Sequence, residues 1–454
     1  MNNGVVEMGL DLIPAGYKQT EVGVIPEDWE IFSLGQSIAK TQLGGNYKNS
    51  EHDTGQPLIK MGNLDRGFVK LSKQEFIIGN ASESDLLNYG DVLFNTRNTL
   101  ELVGKVAIWK NELPKAYFNS NLMRISFKED LVSSNLFMNA LMNSERFIKA
   151  LSDIAIGTTS VAAIYNRDLF LIKVALPTKK EQTAIANALS DADSLINELE
   201  KLIAKKQAIK TATMQQLLTG RTRLPQFALR EDGTKKGTKK SELGEIPEDW
   251  EVVCFSECGY FQSGSGFPTK YQGKQEGDYP FFKVSDMNNV GNENNLINSN
   301  NYISETVRNL ISAKLIPVNA IVFAKIGAAI FLERKKICFQ TSCIDNNMMA
   351  YIVNDKKLYY KYAYLLFKNI NLAQFVEATA LPSLSGRDIG QKIVALPTSD
   401  EQTAIATILS DMDEDIQALE QRLSKTRQIK QGMMQELLTG KTRLIKPSKK
   451  VIHE

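Results

Sequence analysis

The fold of this chain is decided by a stretch that occurs twice, VALPTKKEQTAIANALSD at residues 174–191 and VALPTSDEQTAIATILSD at residues 394–411. Extending the match gives 30 identical residues among the 51 of segments 174–224 and 394–444, at a constant offset of 220. This period is far longer than the roughly 20–50 residues of solenoid and propeller repeats. We therefore interpret it as the duplication of a whole domain with an appended segment.

A shorter match marks the start of each copy. Residues 20–30 read TEVGVIPEDWE and residues 241–251 read SELGEIPEDWE, an offset of 221. Between the matched ends the two halves share only short fragments. The chain is therefore predicted to alternate a variable domain with a shared segment, twice in succession.

The shared segments are predicted to be long helices with defined ends. Each begins with the form of a capping box, Thr178-Lys-Lys-Glu181 and Thr398-Ser-Asp-Glu401. Gly220 and Gly440 follow the last apolar residues and can adopt the left-handed conformation that ends a helix. Roughly 40 residues at about 1.5 Å each give a rod of about 60 Å.

Apolar residues recur along both segments at intervals of three and four, which indicates a helix–helix seam. The first helix leads away from the first variable domain and the second helix starts at the other domain, so the pair is predicted to be antiparallel. We expect the seam to contain Ile185, Ala192, Leu195, Leu199, Leu202 and Ile209 from the first helix, and Ile405, Met412, Leu419 and Ile429 from the second.

The segment after the first helix is polar, aperiodic and rich in lysine, notably at residues 234–240, which is typical of a linker. Residues 16–30 match the end of this linker but precede the first variable domain. The amino-terminal arm is therefore expected to lie beside the tail and to close a pseudo-twofold molecule. The alternative is two independent domains with solvent-facing helices.

The variable regions are predicted to mix helix and strand. Gly90–Phe94 and Asn319–Phe323 are typical of buried strands, and Leu131–Ala150 and Tyr359–Phe375 of helices that pack on them. The fold class is therefore α+β, with two α/β-type domains joined by two long antiparallel coiled-coil helices. The expected boundaries are 1–24 for the arm, 25–176 for the first variable domain, 177–222 for the first helix, 223–245 for the linker, 246–396 for the second variable domain, 397–440 for the second helix and 441–454 for the tail.

Composition limits the possible functions. With 54 Lys and Arg against 52 Asp and Glu the net charge is +2, so any surface for nucleic acid must be local. Two histidines are too few for a histidine-rich metal site, and four cysteines fit a reducing compartment. No stretch is apolar enough to span a bilayer, and the first residues lack the basic region of a signal peptide. We therefore expect a cytoplasmic protein.

The sequence contains no recognisable catalytic motif. An adenosylmethionine-dependent amino-methyltransferase needs an Asn/Asp-Pro-Pro-Tyr/Phe loop, and no Pro-Pro pair occurs in the chain. Gly440-Lys-Thr442 resembles part of a phosphate-binding loop, but it follows a helix and lacks the upstream glycine. Cys254, Cys258, Cys338 and Cys343 have unusual spacing for a zinc site, which favours reduced structural thiols. The chain is predicted to be non-catalytic and without a metal.

The duplicated arrangement resembles the specificity (S) subunit of type I restriction–modification systems over nearly the whole chain. The resemblance implies that each variable domain is a target recognition domain that reads one half of a split, asymmetric DNA sequence. The motifs that carry it are Leu-Pro-x-x-x-Glu-Gln at 176–182 and 396–402, Leu-Leu-Thr-Gly at 217–220 and 437–440, and Ile-Pro-Glu-Asp-Trp at 25–29 and 246–250.

The resemblance also implies partners and cofactors. In that family the two helices form the spacer and dock two modification subunits, which are adenine-N6 methyltransferases that bind adenosylmethionine. Restriction subunits, which use ATP and Mg, can join the complex. Double-stranded DNA is the remaining expected partner, and no cofactor is expected on this chain itself.

Base discrimination in the major groove favours polar and basic side chains on exposed loops. Residues 157–160, Gly-Thr-Thr-Ser, match a loop of the family, whereas the second half has Ala-Thr-Ala-Leu at 378–381, without the glycine. Arg167 and Arg387 align across the repeat, which favours a role in the fold for this pair. The candidate DNA-binding residues are Asn46, Tyr47, Lys48, Asn95, Arg97, Asn98, Thr158 and Thr159 in the first half, and Thr269, Lys270, Tyr271, Lys325, Ser383 and Arg387 in the second.

Two other functions remain open from the sequence. The chain could be a coiled-coil scaffold whose end domains bind protein, or an enzyme with an unrecognised site. DNA binding by the assembled complex that falls steeply with salt would argue against a scaffold. Nuclease or methyltransferase activity of the isolated chain would favour an enzyme.

Overall fold

The structure is a computed structural model that describes residues 13–376 and 381–445. The chain divides into two compact units. The first unit comprises the residues up to Lys201 together with those from Gln421 onward, and the second comprises Leu202–Glu420. Each of two long helices contributes part of its length to either unit, so each unit holds one variable domain and two helix segments.

The first unit is built from short strands and helices that precede the first long helix. Its helices are α1 (Leu34–Ser37), α2 (Asn135–Met142), α3 (Glu145–Ile154), α4 (Asn166–Leu169) and the beginning of α5 (Lys179–Leu218). Its strands are β1 (Tyr17–Thr20), β2 (Gly23–Pro26), β3 (Glu30–Ser33), β4 (Ile38–Leu43), β5 (Asn49–Ser50), β6 (Pro57–Ile59), β7 (Glu75–Ile77), β8 (Val92–Asn95), β9 (Arg97–Asn98), β10 (Val106–Ile108), β11 (Tyr117–Phe118), β12 (Leu122–Phe127), β13 (Ile156–Gly157), β14 (Ala162–Ala163) and β15 (Lys173–Leu176).

Two four-stranded sheets form the body of the first variable domain, in the orders β10-β8-β12-β4 and β11-β6-β7-β5. Strand β8 is buried along its whole length, which fits the apolar run of its first three residues. The helix predicted at 131–150 is two helices, because α2 ends at Met142 and the Ser144 side chain caps α3. Apolar residues of β8, α2 and α3 share one core.

The second unit repeats this plan with different lengths. Its helices are α6 (Pro225–Ala228), α7 (Phe255–Cys258), α8 (Glu305–Leu310), α9 (Tyr360–Asn369), α10 (Gly386–Gly390) and the beginning of α11 (Ser399–Leu437). Its strands are β16 (Thr238–Ser241), β17 (Gly244–Pro247), β18 (Glu251–Cys254), β19 (Gly259–Ser263), β20 (Tyr279–Phe282), β21 (Asn295–Leu296), β22 (Tyr302–Ile303), β23 (Ile321–Ala324), β24 (Lys335–Cys338), β25 (Cys343–Ile344), β26 (Met348–Val353) and β27 (Ile393–Leu396).

A five-stranded sheet, β19-β26-β23-β24-β21, forms the body of the second variable domain. Its buried strand β23 matches the apolar run predicted at 319–323. The helix predicted at 359–375 consists of α9 and a separate 3-10 turn at Leu372–Phe375. Aromatic residues of β26 and α9, Tyr351 and Phe367, pack with ring centroids 5.0 Å apart in the core.

The two long helices run antiparallel within each unit. In the first unit Arg427 pairs with Glu200 at 2.6 Å and Lys430 with Asp193 at 2.5 Å. Residue numbers therefore rise along α11 in the direction in which they fall along α5. The second unit shows the same order in the ion pairs Lys206–Asp415 and Lys210–Asp413. This direction agrees with the one predicted from connectivity.

The burial of the long helices defines which predicted seam residues face a neighbour. Three of them, Leu202, Ile209 and Ile429, are 40%, 47% and 52% exposed, so they bury less surface than the other predicted positions. Ile203 and Ile416 are buried instead, with 8% and 7% exposed. Among the other predicted positions, Ile185, Leu199 and Ile405 are buried, and Ala192, Leu195, Met412 and Leu419 are partly buried.

A buried ion cluster ties the start of α5 to the end of α11 in the first unit. The carboxylate of Glu181, which is 1% exposed, accepts hydrogen bonds from Trp29 Nε1 at 3.2 Å and from Arg443 Nε at 2.6 Å. Arg443 also donates to both carboxylate oxygens of Asp28, at 2.9 and 2.8 Å. We call Asp28, Trp29, Glu181 and Arg443 the first clamp.

The second unit contains the equivalent second clamp, formed by Arg223, Asp249, Trp250 and Glu401. Trp250 Nε1 donates to Glu401 at 3.1 Å, and Arg223 donates to Glu401 at 2.6 and 2.7 Å and to Asp249 at 2.8 and 3.1 Å. Lys236 adds a bond of 2.8 Å to Asp249. The two clamps explain why the lead-in Trp, the first-turn Glu and the Arg beyond the helix recur in both halves.

The clamps revise the interpretation of the helix ends. The Thr-x-x-Glu sequences predicted capping boxes, whereas Glu181 and Glu401 direct their carboxylates to Trp and Arg side chains. Gly220 and Gly440 have φ values of +68° and +72°, so the predicted left-handed glycines are confirmed. A Cβ at either position would also approach the neighbouring proline ring to 2.5 Å.

The lysine-rich segment predicted as a linker is partly folded. Strand β16 pairs with β17 in a hairpin, as β1 pairs with β2 in the first unit, and Arg230 contacts Glu248 at 2.6 Å. The arm contacts the end of α11, because the Tyr17 hydroxyl donates to the carbonyl oxygen of Gly440 at 2.9 Å. The remainder of the predicted arm and tail, 1–12 and 446–454, and residues 378–380 of the second loop lie outside the described residues.

Candidate nucleic-acid interface

In the first unit, two candidate segments leave the same edge of a sheet. Strands β4 and β8 both run antiparallel to β12, and each ends opposite the first residues of β12. Asn46–Lys48 follow β4 and Arg97–Asn98 follow β8. Because strands that end at one edge deliver their loops to one side, the structure brings these two segments to a common surface.

The loop at 157–160 joins this surface through the small sheet β13-β14-β9. Asn98 pairs with Ala162 of β14, and Thr158 N donates to the Val161 carbonyl at 2.9 Å in the turn before it. Gly157 has a φ of +148°, and a Cβ there would lie 2.2 Å from the Val161 oxygen, so the turn requires glycine. The exposed residues Thr158 and Thr159 are thereby placed beside Asn98.

Asn95 differs from the other candidates because it is completely buried. Its Oδ1 accepts a hydrogen bond from the backbone N–H of Arg97 at 3.2 Å. Its Nδ2 has no hydrogen-bond partner within the part of the chain that the structure describes. A buried amide does not reach a base, so we assign Asn95 the role of positioning Arg97, which is itself exposed.

Tyr47 is half-buried and is held by the fold. Its hydroxyl donates to Asp85 Oδ2 at 2.5 Å and accepts from the backbone N–H of Ser82 at 3.0 Å. Burial and the neighbouring Asp85 carboxylate raise the pKa of Tyr47. Tyr47 therefore anchors the loop, while the side chains of Asn46 and Lys48 on either side of it are exposed.

The second unit repeats the edge with other residues. Strands β19 and β23 run antiparallel to β26 and end opposite its first residues. Lys325, directly after β23, donates from Nζ to Ser263 Oγ at 3.1 Å, at the end of β19. Ser383 lies next to it, because the Lys325 carbonyl accepts from Leu384 N at 2.9 Å and Ile326 bridges to Ser383.

The remaining candidates occupy short helical turns. Thr269 and Lys270 are exposed on the 3-10 turn Thr269–Tyr271, and the Lys270 ammonium lies 4.8 Å from the centre of the Tyr271 ring. Arg387 is exposed on α10, and its counterpart Arg167 is exposed on α4. The aligned arginine pair therefore presents its side chains to solvent, although a role in the fold was the expectation.

Several basic residues in the variable domains serve the fold. Arg124 donates to Asp91 at 2.9 Å and to the backbone carbonyl of Leu86 at 2.9 Å. Lys335 and Lys336, in strand β24, are only 5% and 8% exposed, and burial lowers the pKa of Lys336. These cations are held within the fold rather than presented on the exposed loops.

The four cysteines are free thiols. Burial raises the pKa of Cys338 to about 11 and that of Cys343 to about 12, so both stay protonated at neutral pH. Among residues 13–376 and 381–445, no group of three or more His, Cys, Asp or Glu side chains is arranged to hold a metal ion. No helix in the same residues is long and apolar enough to cross a membrane.

One feature of the interface was missed at the sequence level. Ile156, Val161 and Tyr165 are 52%, 66% and 48% exposed on or beside the small sheet that carries Arg97. The sequence Val-Ala-Ala-Ile-Tyr at 161–165 is apolar throughout, so no alternation of polar and apolar residues indicated that one of its faces is exposed.

Comparison with known proteins gives consistent results. Residues 26–211 and 247–430 match the family described as type I restriction modification DNA specificity domain. The putative type I restriction enzyme MjaX specificity subunit of Methanocaldococcus jannaschii is 26% identical over 439 residues, which are 94% of this chain and 97% of that protein. The MjaVIII specificity subunit of the same organism is 26% identical over 92% of this chain and 94% of its own length.

Two solved structures share the fold. The S subunit of a type I restriction–modification system from M. genitalium superposes with a TM-score of 0.55 at 15% identity, over 90% of this chain and 96% of that one. A chain from a structural study of complex assembly and conformational transition of the type I R-M system gives a TM-score of 0.52 at 14% identity, over 92% and 99%.

Proposed function

This chain belongs to the family of type I restriction–modification DNA specificity proteins and is a DNA sequence-specificity subunit, and on that premise we propose that each unit reads one half of a split, asymmetric DNA target. The observation that carries the proposal is the strand edge that both units share. Loops with different side chains project from that edge. A protein that reads two different half-sites needs loops in the same position of each unit but with different side chains.

The long helices are assigned the role of spacer between the half-sites. They are continuous over 40 and 39 residues, which corresponds to about 60 Å. Adjacent turns of a DNA groove repeat at roughly 34 Å, so rods of this length are commensurate with a two-part site. The antiparallel ion pairs along the helices support a stiff element of this kind.

The repeat of sequence and ion pairs in the two helices favours two copies of one partner. The ion pair between Lys430 and Asp193 recurs as Lys210 and Asp413, at an offset of 220. A duplicated surface can bind a duplicated partner, so the proposed partners are two modification subunits, the adenine-N6 methyltransferases. They would bring adenosylmethionine, and restriction subunits that use ATP and Mg would join them. This chain contributes recognition and no catalytic residue.

Genome-wide mapping of methylated adenine tests the proposal directly. In a host that carries this chain and its modification subunits, we expect methylation at a two-part motif with a fixed gap. Deletion of this chain alone should abolish methylation at that motif. Methylation that persists at the same motif without the chain would contradict the proposed function.

A salt titration separates this function from that of a protein-binding scaffold. Affinity of the assembled complex for its duplex should fall steeply with salt, because each neutralised phosphate releases counterions. A scaffold would show no sequence-specific component at any salt concentration. The isolated chain should neither methylate nor cleave DNA in the same buffers.

A further inference from the structure

The small sheet β13-β14-β9 presents one side to solvent. In its register Ile156 lies opposite Ala163, and Ala163 lies opposite Arg97. Cross-strand partners in an antiparallel sheet point their side chains to the same face. Ile156, Ala163 and Arg97 therefore form one row across the three strands.

The alternation along the central strand shows which face is outward. Ala162 and Ile164 are only 1% and 3% exposed and belong to the core of the first unit. Val161 and Tyr165 are 66% and 48% exposed, and Ala163 lies between them on the opposite side from the core. We call Arg97, Ile156, Val161, Ala163 and Tyr165 the outer face.

Groups that suit DNA border the outer face. Arg97 is the last residue of the row on the β9 side, and Thr158 and Thr159 lie in the turn that follows β13. The Arg167 guanidinium lies 5.7 Å from the centre of the Tyr165 ring, and its side chain is 76% exposed. An apolar surface with guanidinium groups and hydroxyls at its margin matches base edges flanked by phosphates.

The second unit carries different side chains at the equivalent positions. The bridge between Ile326 and Ser383 corresponds to the pair Arg97 and Ala163. At an offset of 220, Val161, Ala163 and Tyr165 are replaced by Leu, Ser and Ser at 381, 383 and 385. A surface for two copies of one partner would be retained across the duplication, as the helix ion pairs are. The aliphatic position is kept as Leu381, which is 62% exposed, whereas Ala163 and Tyr165 are replaced by serines. The two faces therefore differ in shape and polarity, as surfaces for two different half-sites would.

We propose that the outer face of the first unit recognises the C5-methyl groups of thymine in the major groove of its DNA half-site. Thymine is the one base that presents an apolar group in the major groove, and apolar side chains are its natural contacts. Val161 and Ile156 cover the methyl groups, and Arg97 fixes the register on the duplex. This inference rests on the proposed function, because it names the base chemistry that one unit of the reader selects.

Replacing thymine by deoxyuridine tests the inference, since the replacement removes only the methyl group. The assembled complex is titrated with duplexes that carry its methylation motif, with uracil in one half-site at a time. Uracil in the half-site of the first unit should weaken binding about fourfold for each covered methyl, which corresponds to about 0.8 kcal/mol. Uracil in the half-site of the second unit is titrated in parallel, and any loss of affinity there should be unaffected by Val161→Ser.

Variants of the outer face provide the second arm. Val161→Ser should bring the thymine-to-uracil ratio of affinities in the first half-site close to one. Leu171→Ser is the matched control, because Leu171 is 69% exposed in the same unit but outside the outer face. It should retain the ratio of the unaltered chain. Circular dichroism of both variants confirms that each exposed substitution leaves the fold intact.

Three results would overturn the inference. These are no loss of affinity with uracil in the first half-site, a loss in the second half-site that Val161→Ser changes to the same extent, and a thymine preference in the first half-site that survives Val161→Ser. Each leaves the proposed function standing, provided that the two-part methylation motif still depends on this chain. Loss of that dependence would instead contradict the proposed function itself.

Discussion

Arg97 and Lys325 follow equivalent strand ends in the two units, but their cationic side chains differ in exposure and in hydrogen bonding. Arg97 is exposed beyond a buried asparagine that fixes its backbone, whereas Lys325 is half-buried and donates to Ser263. We expect Arg97→Ala and Lys325→Ala each to weaken binding of the assembled complex to DNA by about 1–3 kcal/mol, through one half-site only.

Residues at the opposite edge of the same sheets provide the controls. Lys128 follows the far end of β12, and Lys356 follows the far end of β26, and both are exposed. Lys128→Ala and Lys356→Ala should leave the affinity unchanged in the same titration. An equal effect of test and control substitutions would mean that the binding surface is not at the predicted edge.

The ionised carboxylates of the clamps make the free energy of unfolding depend on pH. Burial alone would raise the pKa of Asp249, but hydrogen bonds from Arg223 and Lys236 outweigh it and lower the pKa to about 2. An unfolded Asp titrates at about 3.9, so this carboxylate stabilises the fold above about pH 4 and loses that contribution as the pH falls towards 2. Asp249→Asn should therefore be less stable than the unaltered chain at pH 6 and should approach it near pH 2, as measured by denaturant unfolding. A difference that is constant across this range would contradict the assignment.

At the scale of the element, two leucines of α5 that lie three residues apart differ in burial. Leu199 is 4% exposed and Leu202 is 40% exposed. Leu199→Ala should lower the free energy of unfolding of the isolated chain by about 2–5 kcal/mol, because it leaves a cavity. Leu202→Ala should change it by less than about 0.5 kcal/mol. Comparable losses in thermal or denaturant unfolding would show that the seam is elsewhere.

The long helices and the buried strands were predictable because their signals are local. Apolar runs identified β8 and β23, and Gly220 and Gly440 marked the helix ends. The residues of the seam were harder to predict, because Leu202 and Ile203 are adjacent and either one fits a spacing of three or four from Leu199. The burial of Asn95 was also hidden, since β8 extends one residue beyond its apolar run. The partners of Glu181 lie far away in sequence, so its role in a clamp could not be inferred from the capping pattern.

For the whole molecule, the duplication predicts exchangeable recognition. Replacing residues 25–176 by the variable domain of another family member should change one half of the methylated motif and leave the other half and the gap unaltered. The exchange removes Asp28 and Trp29 of the first clamp, so the incoming domain should carry its own Asp-Trp lead-in to meet Glu181 and Arg443 of this chain. Methylome sequencing measures the outcome, and a change in both halves would contradict modular reading.

The first clamp also governs the order in which a nascent chain can finish folding. Arg443 completes the contacts of Glu181 and Asp28, so the first clamp cannot close until the ribosome has passed the whole of the second unit. The second clamp needs nothing beyond Glu401, so it can close while synthesis continues. A chain that stops just before Arg443 would thus lose the first clamp and keep the second.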